Sequence, residues 1–230
     1  RAQRPGVRLR LLLVRHGETE GNVSRRLQGP DDPLTERGRR QARELAAHLA
    51  GRDDVVALYA SPYRRAFETA RAIGDAIGME PEPRAALVEL DVGVAAGYRF
   101  EAWVEEFPEE AERFRTEGVD YSWPGGESGR DLSVRTEEEI ERILEAHGHE
   151  AGAVVVVSHG GALAWIIAHL LDEPDGEWPH GYARLENCSI TEAEIPPDGV
   201  GTARFLCTNE VGHLSPDPDE EAATGRDPVD

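Results

Sequence analysis

Two histidines occupy the same kind of position in the sequence. His16 follows the apolar run 11–14 and precedes a glycine, and His159 follows the apolar run 153–157 with a glycine after it as well. In parallel α/β sheets, ligands bind just beyond the carboxyl ends of the strands. A glycine there lets the backbone turn sharply and approach an anion. With Arg15 before His16, the pattern predicts a phosphate site at one edge of a sheet.

The cations of such a site must be arginines, because the 25 basic residues include no lysine. The segment 61–70 reads SPYRRAFETA. It is predicted to open a helix with Ser61 as the N-cap and Pro62 in the first helical position. Arg65 then lies in the first turn, where free N–H groups and the helix dipole also favour an anion.

Apolar periodicity elsewhere predicts the elements that must position these residues. Strands are expected at 9–14, 55–60 and 153–157, with a closing pair at 187–195 and 202–207. Helices are expected at 35–50, from 61 onwards, at 129–148 and at 162–171. Alternating strands and helices predict an α/β three-layer sandwich, in which helices cover both faces of a mostly parallel central sheet.

Three regions fall outside that alternation. Residues 90–130 carry many aromatic side chains among acids and are expected to form a small, partly helical lid with its own core. The tail 215–230 is acidic, proline-rich and without periodicity, so it is expected to be disordered. Cys188 and Cys207 are expected to be reduced thiols that lie nearly opposite one another in the closing hairpin.

Composition excludes several classes of protein. The formal net charge of −20 argues against nucleic-acid binding, which needs a positive surface. No apolar run approaches the roughly 18 residues of a membrane helix, and no signal-peptide pattern is recognised, so the expected location is cytoplasmic. His147 and His149 stand close together, but no third ligand has suitable spacing. We therefore expect no metal and no other cofactor.

Taken together, these segments resemble the histidine phosphatase superfamily, also called the phosphoglycerate mutase-like family. The resemblance rests on Arg-His-Gly-Glu-Thr at 15–19, on the segment 61–70, on Glu89 and on Ser-His-Gly at 158–160. It covers roughly residues 8–214. It implies one catalytic domain over 1–214, with the lid inserted at about 90–130.

The resemblance also implies roles for individual residues. His16 would be the nucleophile, which must be neutral to attack phosphorus and whose other ring nitrogen would be fixed by a hydrogen bond. Arg15, Arg65 and His159 would hold the phosphoryl oxygens. Glu89 would protonate the departing oxygen and then accept a proton from the attacking water.

Further residues are expected around the pocket. Asn22 would add a donor to the phosphate, and the border would include Gln28, Gly29, Glu127, Ser128 and Gly160. One departure concerns the family pattern Gly-x-x-Glu-Gly, which here reads GVAAG at 93–97. The missing glutamate leaves the pocket rim and the choice of substrate open.

The implied activity is that of a phosphomonoester hydrolase of the histidine acid phosphatase type, acting through a phosphohistidine on a small phosphorylated metabolite. One alternative is a cofactor-dependent phosphoglycerate mutase, which needs extra cations in its lid. The lid has four arginines, at 99, 113, 115 and 130, among many acids, which favours the hydrolase. A catalytically silent phosphate-binding protein of the same fold is the second alternative, against which the complete set of pocket residues argues. The oligomeric state stays open, a homodimer included.

Overall fold

A computed structural model describes residues 9–148, 151–174, 176–182, 184–196 and 203–216. The strands are β1 Leu9–Arg15, β2 Val55–Ala60, β3 Glu82–Pro83, β4 Gly152–Ser158, β5 Ile190–Ile195 and β6 Arg204–Glu210. The helices are α1 Glu20–Ser24, α2 Glu36–Leu49, α3 Arg64–Ile77, α4 Phe100–Glu106, α5 Pro108–Glu117, α6 Gly129–His147 and α7 Gly160–Leu170.

The strands form one mixed sheet in the order β3-β2-β4-β1-β5-β6. The first four strands of this order are parallel, whereas β5 runs antiparallel to β1 and β6 antiparallel to β5. Register aligns the carboxyl ends of the parallel strands: Arg15 pairs with Ser158, and Ala60 pairs with Val157. The residues that follow β1, β2 and β4 therefore lie close together at one edge of the sheet.

Alternate residues of the central strands build two separate cores. Leu11 and Leu13 of β1 pack with apolar side chains of α6 and α7, whereas Leu12 and Val14 pack with those of α2 and α3. A parallel strand with helices on both faces must be apolar on both faces, which explains its continuous apolar run. The predicted three-layer α/β sandwich is confirmed.

The helix after β2 begins later than the sequence predicts. Its first residue is Arg64 and its N-cap is Tyr63, which makes no side-chain cap. The predicted cap at Ser61 is wrong because Ser61 still extends from the sheet edge, its N–H donating to Val157 O at 2.9 Å. Its hydroxyl bonds a histidine of the site instead. Arg65 nevertheless lies in the first turn.

Residues 90–130 contain two short helices, α4 and α5, and two 3-10 turns at Gly93–Ala95 and Gly118–Asp120. Trp103, Tyr121 and Trp123 are buried in an aromatic cluster of their own. Ring centroids in it lie 4.9–6.4 Å apart. The aromatic side chains of this region thus make a small second core, as predicted.

The closing strands β5 and β6 pair as expected, but the two cysteines do not oppose each other. Cys188 precedes β5, and Cys207 is paired in register with Glu192. The expected pairing counts residues from the turn alone, and it does not include the irregularities in the pairing of β5 with β6. Both thiols are free, and burial raises their pKa. Residues 217–230, most of the predicted tail, lie outside the described part of the chain.

Helix α7 is the most apolar helix and is almost entirely buried against α6 and the sheet, but it has only 11 residues. None of the described helices is both long enough and apolar enough to cross a bilayer.

Candidate active site

The ends of β1, β2 and β4 bring the two predicted histidines together. The backbone N–H of His16 donates to Ser158 O at 3.0 Å, which continues the β1–β4 ladder by one residue. His159 is the N-cap residue of α7. The two imidazole centroids lie 5.1 Å apart, and both rings are buried. The sheet register thus brings the two histidines side by side.

Hydrogen bonds fix the tautomer of His16. The ring Nδ1–H donates to Gly17 O at 2.7 Å, and Arg65 Nε–H donates to His16 Nε2 at 3.2 Å. A guanidinium only donates, so Nε2 presents its lone pair to this bond. Burial, followed by the charges of Arg65 and Arg15, lowers the pKa of His16 well below 6.5. The imidazole is therefore neutral at neutral pH, with an unprotonated Nε2 that accepts a hydrogen bond from Arg65.

The second imidazole is neutral as well. Burial, and then the charge of Arg65, lowers the pKa of His159 well below 6.5. Its Nε2 lies 2.7 Å from Ser61 Oγ, which accepts the Tyr63 N–H and so keeps its own proton to donate. When Ser61 donates to Nε2, the proton of His159 lies on Nδ1, which has no partner among the described residues. Such a buried donor costs about 1–3 kcal/mol, and an anion in the site would satisfy it.

These two imidazoles should make the protein sensitive to mild acid. Both pKa values are lower in the folded chain than in the unfolded one, so below about pH 6.5 only the unfolded chain binds these protons. Above about pH 6.5 neither state of the chain binds these protons, so the two rings cause no loss of stability there. As the pH falls below it, the free energy of unfolding should drop by about 1.4 kcal/mol per pH unit for each ring.

Urea titrations between about pH 7.5 and about pH 5.5 measure this slope. His159→Gln should reduce the loss of stability over this whole interval by about 1.4 kcal/mol relative to the wild-type protein. Identical pH dependence in the two proteins would show that folding does not lower the pKa of His159.

Two guanidinium groups flank the histidines. Arg65 is 1% exposed, and its Nη1–H donates to Gly29 O at 2.7 Å. Arg15 donates from Nη1 to Leu185 O, while its Nε is buried without a partner among the described residues. Burial lowers the pKa of both groups and the Glu89 carboxylate opposes that effect, yet arginine keeps its proton in proteins. Two cations with unused donors thus stand beside a neutral imidazole.

The Glu89 carboxylate closes the site from the side of the lid. It accepts the Gly161 N–H at 3.0 Å and the Leu90 N–H at 2.9 Å. A Cβ on Gly161 would lie 2.5 Å from Glu89 Oε1, so only glycine allows this approach. Residue 161 therefore has a steric reason to be glycine, which the sequence pattern left unassigned.

Glu127 and Ser128, predicted at the pocket border, have structural partners instead. Ser128 caps α6 through its side chain. Glu127 pairs with Arg135, whose Nε–H donates to Glu127 Oε2 at 3.0 Å. Arg135 also donates to the carbonyls of Ala86, Val88 and Glu89 at 2.7–3.1 Å. Glu127 thus acts on the site indirectly, by anchoring the arginine that holds the Glu89 segment.

Asn22 is also engaged within the protein. Its Oδ1 accepts hydrogen bonds from the backbone and hydroxyl of Thr19 and from Asn187 Nδ2. The same Asn187 amide donates to His16 O at 2.9 Å. Asn187 therefore ties α1 to the backbone at His16. No motif marks it, and only the position of its loop just before β5 places it there.

A cavity of about 290 Å³ opens at this group of residues. Six of the predicted site residues line it, namely Arg15, His16, Gln28, Arg65, Glu89 and Gly160. The sequence did not indicate the other lining residues, which are Arg26, Leu27, Leu90, Val92, Gly161 and Trp178. Gly29 borders the site through its carbonyl. The lining thus combines three arginines with an apolar part formed by Leu27, Leu90, Val92 and Trp178.

Similarity to known proteins agrees with this geometry. Residues 11–208 match the family model of the histidine phosphatase superfamily, branch 1. The chain is 34% identical over 210 residues to a bifunctional protein of Mycobacterium tuberculosis, a match covering 91% of this chain but only 56% of that protein. It is 37% identical over 195 residues to a probable phosphoglycerate mutase of an Enterobacter species, covering 81% of this chain and 85% of the relative.

The fold is shared with solved structures too. A mycobacterial glucosyl-3-phosphoglycerate phosphatase, solved with VO3, has a TM-score of 0.76 and 30% identity, with 86% of this chain and 97% of that one covered. The family match spans most of the chain, from β1 into β6, and includes both histidines and Arg65. The chain belongs to the histidine phosphatase superfamily, branch 1.

Proposed function

We propose that this chain is a phosphomonoester hydrolase that acts through a phosphohistidine on a small phosphorylated metabolite. The observation that carries the proposal is the state of His16, a buried neutral imidazole with its Nδ1 proton held by Gly17 O. Its Nε2 lone pair faces the cavity cations, so it is a nucleophile at neutral pH. The family membership and the phosphatase among the solved relatives support the same reaction class.

The first step forms a phosphoenzyme. Nε2 of His16 releases the hydrogen bond from Arg65 Nε and attacks phosphorus with that lone pair. A P–N bond forms, and the P–O bond to the substrate alcohol breaks. Arg15, Arg65 and the Nδ1–H of His159 stabilise the charge on the three non-bridging oxygens, which supplies much of the rate in phosphoryl transfer. Glu89, in its protonated form, gives its proton to the departing alkoxide.

The second step returns the enzyme to its resting state. Water attacks phosphorus and transfers a proton to the Glu89 carboxylate, while the P–N bond breaks and inorganic phosphate leaves. His16 recovers its Nε2 lone pair. Because the lowered pKa of His16 keeps the nucleophile neutral below pH 6.5, the geometry supports a phosphatase of the histidine acid phosphatase type.

Glu89→Gln should slow the reaction according to the leaving group. With an alkyl phosphate, whose alkoxide needs a proton, we expect kcat to fall by about a hundredfold. With p-nitrophenyl phosphate, whose phenolate leaves without one, the loss in the first step should be much smaller. Single-turnover rates on both substrates measure the contrast. Equal losses of rate on both substrates would show that Glu89 is not the general acid.

Arg135→Gln should also slow the alkyl phosphate more than p-nitrophenyl phosphate, but by a smaller factor than Glu89→Gln. The reason is that Arg135 positions the Glu89 segment without touching the substrate. We expect about a tenfold loss on the alkyl phosphate, with stability lower by about 2 kcal/mol, since hydrogen bonds from a charged group are lost. Arg130→Gln is the matched control on the same helix, exposed and paired with Asp120. A loss of equal size on both substrates would indicate a purely structural role.

Three of the four lid arginines are ion-paired, which favours hydrolysis over the mutase reaction. Arg113 pairs with Glu110 and Glu117, at 3.1 and 2.9 Å, and Arg115 pairs with Glu112. Ion-paired arginines contribute little charge to a substrate such as bisphosphoglycerate. With 3-phosphoglycerate and a bisphosphoglycerate primer, we expect released phosphate. Formation of 2-phosphoglycerate without phosphate release would establish the mutase reaction instead.

A further inference from the structure

Two arginines are directly opposed where the chain after α1 meets the lid, and one of them, Arg26, lines the active-site cavity. Arg26 and Arg99 form an isolated antiparallel bridge, supported by the Leu27 N–H, which donates to Tyr98 O at 2.9 Å. Directly opposed residues of an antiparallel pair place their Cβ atoms about 5 Å apart on the same side. The bridge therefore joins the chain after α1 to the start of the lid through a pair of like charges.

Nothing described in the protein neutralises this pair. Neither guanidinium has a carboxylate partner among the described residues, although the chain carries 45 acids. The other lid arginines at 113, 115 and 130 are each paired with an acid. Like charges directly opposite one another destabilise a strand pair. An anion between Arg26 and Arg99 would remove that repulsion.

The cavity connects the pair to the reacting centre. Arg26 lines the same 290 Å³ cavity as His16. The same lining includes four apolar side chains, those of Leu27, Leu90, Val92 and Trp178. Trp178 is held there by an edge-on contact with another tryptophan, their ring centroids 5.7 Å apart. A ligand that fills the cavity would meet His16 with its phosphate, the apolar side chains with an uncharged part, and the Arg26 guanidinium with a further part.

We propose that Arg26 and Arg99 bind a second anionic group, a carboxylate or a second phosphate, at the far end of the substrate. This inference rests on the proposed hydrolase function and narrows its substrate class to phosphomonoesters of anionic alcohols. The guanidinium fork suits either oxyanion. One anion between two cations also explains why Arg99, unlike the other three lid arginines, has no carboxylate partner among the described residues.

Matched substrate pairs that differ only at the far end test the proposal. The first pair is 3-phosphoglycerate and glycerol 3-phosphate, and the second is 6-phosphogluconate and sorbitol 6-phosphate. The third, 1,6-hexanediol bisphosphate and 6-hydroxyhexyl phosphate, replaces the carboxylate by a phosphate. The ratio of kcat/KM within each pair would be measured for wild type, for the double variant Arg26→Gln/Arg99→Gln and for Arg113→Gln. General losses of rate cancel in that ratio.

We expect wild type and Arg113→Gln to prefer the anionic member of at least one pair by about tenfold or more, equivalent to one good charge-assisted hydrogen bond. The double variant should lose that preference. No preference in any pair, or a preference that survives the double substitution, would overturn the proposal while leaving the hydrolase intact. Failure to release phosphate from p-nitrophenyl phosphate would instead refute the proposed hydrolase function, and with it the proposed anion site.

Discussion

His16→Ala should lower kcat/KM for p-nitrophenyl phosphate by roughly 10⁴-fold or more, the scale seen when an enzyme loses its nucleophile. The whole mechanism passes through Nε2 of His16, since no P–N bond can form without it. The cations remain in the variant, so we expect phosphate and vanadate still to bind. Steady-state kinetics together with the inhibition constant of vanadate would separate these two effects.

His48→Ala provides a control, because His48 lies on α2 outside the cavity lining. It should keep the wild-type rate within about twofold, as surface substitutions away from a site usually do. If His16→Ala hydrolysed p-nitrophenyl phosphate as fast as the wild type, catalysis at this site would be refuted. The chain would then be a silent phosphate-binding protein of the same fold.

Arg65→Gln should produce the second-largest loss, about 10²–10³-fold in kcat, as for the removal of a preorganised donor from a developing anion. It should also change the pH profile. The Arg65 charge is one cause of the low pKa of His16, so its removal raises that pKa towards 6.5. The nucleophile then becomes protonated at a higher pH, and the acidic limb of kcat/KM moves upward.

The comparison must use one substrate for both proteins, because the substrate phosphate itself titrates near pH 6. Arg64→Gln is the matched control, since Arg64 is the preceding residue, exposed, and paired with Glu68 at 2.7 Å. Its rate and its acidic limb should stay close to wild type. An acidic limb that does not move in Arg65→Gln would show that the Arg65 charge does not hold His16 neutral.

Much of the fold follows from local patterns in the sequence. The continuous apolar runs of β1 and β4 predict strands that are buried on both faces. The short connections between strands and helices then allow only a few topologies. The start of α3 was misplaced for a physical reason. Serine is a common N-cap residue, but the Ser61 hydroxyl forms a hydrogen bond with His159 instead. This tertiary contact overrides the local preference for capping the helix.

The site itself was predictable only in part. His16, Arg65 and His159 are recognisable because strand ends in a parallel sheet converge on one edge. Residues that act through other residues carry no such signal. Glu127 was expected at the pocket, yet it holds Arg135, which in turn holds the Glu89 segment. Such a relay depends on contacts between distant elements.

The rim of the cavity was the least predictable part. Arg26 and Trp178 reach the cavity from the segment after α1 and the segment after α7, far apart in sequence. Neither segment has the periodicity of a regular element. The bridge between Arg26 and Arg99 depends on how the lid joins the domain, and substrate choice depends on the same junction.

The most direct test of the account is to trap the phosphoenzyme. A substrate labelled with radioactive phosphate would be mixed with the enzyme and quenched in denaturant within the first turnover, and the labelled peptide would be identified by mass spectrometry. We predict one phosphoryl group on His16, labile in acid and stable in base, and none in His16→Ala. Label on another residue, or full turnover with no labelled protein at any quench time, would contradict the account.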